Sequence, residues 1–246
     1  MILEGLQIDF RLTFQADHRK NRDRIAHFGR INCRMIGFDH TQRLEPRLYQ
    51  QLPVRIVDID EKSLEALGQW PWPRTVIAEL LVKLQKAGAA AVAFDILFAE
   101  PDRTSPNTIL KQWKRFEGID ENPALSDLIS KLPDHDEVLA SNLKRLPTVL
   151  GIMFNNSGDT RGRPDPKWSY AQQGNDPRRF FQSYSGVVKA LDVLSSNTSG
   201  LGSINSSLDS DGIIRRVPLF VRLNSGEKFS KEIFPTLSVE ALRVAQ

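Results

Sequence analysis

Three aspartates stand where carboxylates can gather at one edge of a sheet. Val54–Asp60 reads VRIVDID, a β-branched apolar run of strand length that ends in Asp58 and Asp60. Ala89–Leu97 is a second apolar run and carries Asp95. In open parallel sheets, ligands bind beyond the carboxyl ends of the strands. Three carboxylates there can hold a hard cation such as magnesium or calcium, or accept hydrogen bonds from a polar ligand. The same residues serve equally well as caps of neighbouring loops and helix starts, because acids at strand ends are common to every α/β fold. Both readings stay open at this point.

An apolar run followed by Asp-x-Asp is similar to the opening of haloacid-dehalogenase-type phosphohydrolases. There the first aspartate attacks phosphorus, the second is the acid/base and magnesium lies between them. Asp58 and Asp60 match that opening, but Lys62 stands where the family has threonine. This metal-dependent phosphohydrolase is the alternative to a binding function. The chain has no GxSxG elbow, P-loop, GxGxxG or HExxH. Nothing in the sequence calls for a cofactor, and no metal ligands are assigned. Trp70 and Trp72, set between Pro71 and Pro73, make a stiff aromatic platform for a ligand, or core packing. Arg74 can pair with the strand-end acids, and Arg215 with Asp209 and Asp211, as salt bridges or as ligand contacts.

The elements that must position these groups read as an α/β fold: a mixed, largely parallel sheet with flanking helices. A helix is expected from Arg74 to Ala87, with Val76, Ile77, Leu80, Leu81 and Leu84 on one stripe and Gly88 as its stop. Strands at about 54–60 and 89–97 on either side of it make a βαβ unit with parallel strands. Pro123–Leu132 and Asp134–Leu146 read as helices, Asp134 capping the second. Thr148–Phe154, Ser199–Asn205 and Ile213–Leu223 read as strands, Val187–Ser195 as a helix, and Pro235–Ala245 as a closing amphipathic helix. Asn155–Asp176 is a polar excursion, and Asp209-Ser210-Asp211-Gly212 is a turn. Residues 1–37 are poorly legible, with Arg19–His27 a possible short charged helix, and 38–246 form the expected domain.

Composition narrows the class. Among 246 residues, 40% are hydrophobic and 26% charged, as in a chain that buries a core. Lys and Arg number 33 against 30 Asp and Glu, well mixed, which argues against a nucleic-acid partner. Cys33 is the only cysteine, so no intrachain disulfide forms. No apolar run spans a bilayer, and Met1–Phe14 lacks the charged start and apolar stretch of a signal peptide.

Leu52–Arg74 (LPVRIVDIDEKSLEALGQWPWPR) resembles the opening motif of CHASE sensory domains of the second type. Ala87–Arg103 is similar to that family's second motif and Gly202–Arg222 to its third, while Phe234–Ala245 matches its close. The resemblance runs from about residue 38 to 246 and implies an extracytoplasmic input domain of a bacterial transmembrane receptor. It implies no catalysis in the domain itself, with a nucleotide cyclase, histidine kinase or similar output module elsewhere. It further implies an unidentified small-molecule or ionic ligand, a homodimer in the parent receptor, and attachment to the membrane only through flanking helices. The motif positions carried over as ligand-binding candidates are Asp58, Asp60, Trp70, Trp72, Arg74, Asp95, Asp209, Asp211 and Arg215.

Overall fold

A computed structural model describes residues 33–48, 50–114, 123–168, 171, 173–224 and 232–246. The short charged helix expected at Arg19–His27 lies outside them. The chain separates at Asp58/Ile59 into two units. The first contains a helix over residues 33–44, α1, and an extended stretch to Asp58.

The strand expected at 54–60 is not formed: Val54–Asp60 is extended but has no ladder partner among the described residues. Ile56 is 92% exposed. A β-branched run favours extended backbone, yet a strand also needs a neighbour to take its N–H and C=O groups. The run expected at 89–97 shortens to β1, Val92–Phe94.

The parallel sheet of the second unit is built around a different strand. β2, Thr148–Asn155, is almost wholly buried, as a near-continuous apolar run dictates. Its first half pairs in parallel with β1 on one side and β6, Gly200–Ser203, on the other. Its last residues turn to an antiparallel pairing with β5, Gly186–Val188, which in turn holds the short β3, Thr160–Arg161. The βαβ unit is therefore β1 and β2, joined through α4 (Pro106–Trp113), α5 (Pro123–Ser130) and α6 (His135–Leu143). A second sheet runs β4 (Gln182–Tyr184), β7 (Phe220–Leu223), β8 (Ile233–Pro235). Of the expected strand 213–223 only its end is laddered, and the expected helix 187–195 divides into β5 and α7, Asp192–Ser195.

Before the sheet come α2, Glu61–Leu67, and α3, Arg74–Lys86. The α3 stripe buries Ile77, Ala78 and Leu81, and Gly88 leaves the helix at a φ of 84°. Helix α3 packs on α6, and the closing helix α8, Leu237–Ala245, packs on β6, β2 and β1. Gly202 makes that approach possible, since a β-carbon there would sit 2.5 Å from the Leu237 Cα. Phe98, Ile77, Leu81, Leu139, Leu150 and Phe234 form the centre of the core. Each such side chain removed from water contributes about 1.5–3 kcal/mol.

Candidate functional site

Asp58 and Asp95 are exposed. Asp60 is the N-cap of α2: its Oδ1 accepts from the Ser63 N–H at 2.9 Å and the Ser63 hydroxyl at 2.6 Å. The Ser63 donors hold its carboxyl below the ordinary aspartate value. Among the described residues no group of three or more His, Cys, Asp or Glu side chains is placed to hold a metal ion.

The aromatic platform is packed. Trp72 is buried, donates from Nε1 to the Gly68 carbonyl at 2.7 Å, and meets Trp70 edge-on at 5.6 Å between ring centroids. Trp70 is partly buried against the core.

Arg74 lies at the centre of a buried polar ring. The helix it opens has Pro73 at the N-cap position, which offers no capping side chain. Asp102 supplies the acceptor instead: its Oδ2 takes the Arg74 N–H at 2.7 Å. A carboxylate there also faces the positive end of the helix dipole. The Asp102 N–H donates to Asp136 Oδ2 at 2.8 Å, and Asp136 Oδ1 accepts from Arg74 Nε at 3.3 Å, which closes the ring. The guanidinium also donates to the Glu100 carbonyl at 3.3 Å and stacks 4.5 Å from the Phe98 ring centroid. Thr104 gives its N–H and hydroxyl to Asp102 Oδ1, and His135 Nδ1 lies 3.2 Å from Asp102 Oδ2.

The two acids are tuned in opposite directions. Burial alone would raise Asp102, but the N–H groups of Arg74 and Thr104 and the Thr104 hydroxyl outweigh it, and the carboxyl lies below the ordinary value. Burial dominates at Asp136 and pushes it up, against the Asp102 N–H and Arg74. This ring ties the loop after β1 to the starts of α3 and α6. Asp102 and Asp136 were not among the sequence candidates, because their partners lie 28 and 62 residues away from them at Arg74.

Asp209, Asp211 and Arg215 do come together. The turn closes through the Gly212 N–H to the Asp209 carbonyl at 2.9 Å, with Gly212 at a φ of 81°. Arg215, whose side chain is 6% exposed, reaches back with Nη1 to Asp209 Oδ2 at 3.1 Å. It also spans both Asp211 oxygens, at 2.9 and 2.7 Å. That fork holds the Asp211 carboxyl down at about 2.

One site escaped the sequence reading. Asn175, Asp176, Arg178, Arg179 and Arg222 line an open cleft of about 640 Å³. That lies within the ordinary range for small-molecule sites. Asp176 caps the 3₁₀ turn Pro177–Phe180 and pairs with Arg178 at 2.6 Å. Arg222 projects from β7, the middle strand of the second sheet. Beneath both, Glu232 is completely buried, and its Oε2 accepts from Arg178 Nη1 at 3.3 Å and Arg222 Nε at 3.1 Å. Its Oε1 has no hydrogen-bond partner among the described residues. The paired Arg178-Arg179 was the one visible signal.

A comparison with known protein families matches the CHASE2 domain over residues 26–246. No curated protein and no solved structure matches.

Proposed function

Because the chain belongs to the CHASE2 domain family, an extracytoplasmic sensor domain, we propose that it is the ligand-sensing input domain of a bacterial transmembrane receptor. The single observation that carries this reading is the extent of the match, residues 26–246. In this reading the domain lies on the periplasmic or extracellular face of the inner membrane. It binds a small-molecule or ionic ligand, works as a homodimer, and passes its signal to a nucleotide cyclase or histidine kinase output. The domain itself is not catalytic. Among the described residues no helix is long and apolar enough to cross a membrane, so the reading assigns anchorage to flanking helices.

The geometry gives the phosphohydrolase alternative little support. The acid/base role would fall to Asp60, whose carboxylate is engaged by Ser63 as a helix cap. The Arg74 ring and the Arg215 fork are satisfied ion-pair networks that shape loops.

A thermal-shift screen of the purified chain against metabolites, nucleotides and divalent cations tests the proposal. A site-specific ligand at a hundredfold excess over its Kd stabilises by about 2.7 kcal/mol. At least one compound class is expected to raise the melting temperature saturably. A chain that melts cooperatively and responds to none of them would be a structural or dimerising ectodomain instead.

A further inference from the structure

The cleft between the 3₁₀ turn Pro177–Phe180 and β7 has the chemistry of an anion site. Resting on the sensory reading above, we propose that it is the sensing pocket and takes a small organic molecule bearing a carboxylate or phosphate group. Three guanidinium groups, Arg178, Arg179 and Arg222, gather at it against two carboxylates, Asp176 and Glu232. Like charges so arranged repel one another, and an oxyanion removes that repulsion. A guanidinium fork fits both carboxylate and phosphate better than a lone lysine does.

The position of the arginines is built from below. Glu232 is wholly buried, so it does not itself meet a ligand. Its Oε2 draws in Arg178 from the turn and Arg222 from the strand, at 3.3 and 3.1 Å. Arg179 makes no ion pair among the described residues: its guanidinium lies 4.6 Å from the ring centroid of Phe180, which is itself 74% exposed. Arg179 is exposed and lines the cleft. Asn175 adds an amide at the rim.

Isothermal titration of the whole chain with citrate and with inorganic phosphate tests the proposal, using glucose as a neutral and putrescine as a cationic comparator. The wild type is expected to bind at least one of the two anions, more weakly as salt is raised, and neither comparator. Arg179→Ala leaves both Glu232 pairs in place, and the double change Arg222→Gln with Glu232→Gln replaces an ion pair by a neutral amide pair. Each is expected to weaken anion binding by about tenfold or more, as loss of a hydrogen bond to a charged group does. Arg179→Ala should do so with an unchanged melting temperature. Anions that bind wild type and both variants alike would place the site elsewhere and overturn the proposal. Glucose or putrescine binding without citrate or phosphate would overturn the ligand class while leaving the sensory reading standing. A folded chain that binds none of the four would also overturn it, and the wider ligand screen then decides whether the sensory reading falls with it.

Discussion

Arg74 and the Arg178–Arg222 pair are both held by carboxylates, yet they are held in opposite ways. At Arg74 the side chain is buried and is engaged by one acid, a carbonyl and an aromatic ring, while a second acid takes its backbone N–H. At the cleft one buried acid holds two partly exposed arginines through a single oxygen, and its other oxygen has no partner among the described residues. The first arrangement ends in the protein. Beside the second stands Arg179, exposed and without an ion pair among the described residues. A closed network fixes where chain segments lie, whereas an open one keeps donors for something that arrives later.

Breaking the closed network should cost most. Arg74→Ala leaves Asp136 buried without its cation and is expected to lower the unfolding free energy by about 3–5 kcal/mol, measured by urea denaturation. Asp60→Ala tests the reading of that carboxylate as a cap. Loss of the Ser63 donors should lower the melting temperature by about 2–4 °C without altering the binding of any ligand found in the screen.

Acid stability separates the networks further. Asp211 has its folded pKa depressed to about 2 from 3.8, so its contribution is present above pH 3.8 and is lost as pH falls toward about 2. Asp211→Asn should flatten the loss of stability across that window, seen as a smaller slope of unfolding free energy against pH. Asp102, also depressed, acts in the same sense. Asp136 is raised and acts in the opposite one: its contribution is full below 3.8 and fades as pH climbs through its folded value. The smallest structural effect belongs to the open site. Arg179→Ala should stay within about 0.5 kcal/mol of wild type in denaturant while weakening anion binding about tenfold or more.

What was legible in the sequence was local. The α3 stripe, the Gly88 stop, the Asp134 cap and the Asp209–Gly212 turn all depend on residues within a few positions of one another. Asp-x-Asp-Gly followed by arginine likewise announced a cluster that does form. Val54–Asp60 shows the limit, because its β-branched pattern specifies extended backbone and says nothing about a partner strand. Asp102, Asp136 and Glu232 were invisible for a related reason. Each acts on groups brought near by topology: Asp102 and Asp136 on Arg74, Glu232 on an arginine 54 residues earlier. Gly200 and Gly202 belong here too, since their role is to admit α8 against β6, a contact made across the chain.

An NMR titration of the isotopically labelled chain with citrate and inorganic phosphate tests most directly whether closed and open arginine sites do different work. The account predicts shift changes in the 3₁₀ turn around Arg178 and Arg179 and along β7 at Arg222, with the signals of Arg74, Asp102 and Asp136 unmoved. Shifts centred on the Arg74 ring, or none anywhere in a well-dispersed spectrum, would contradict it.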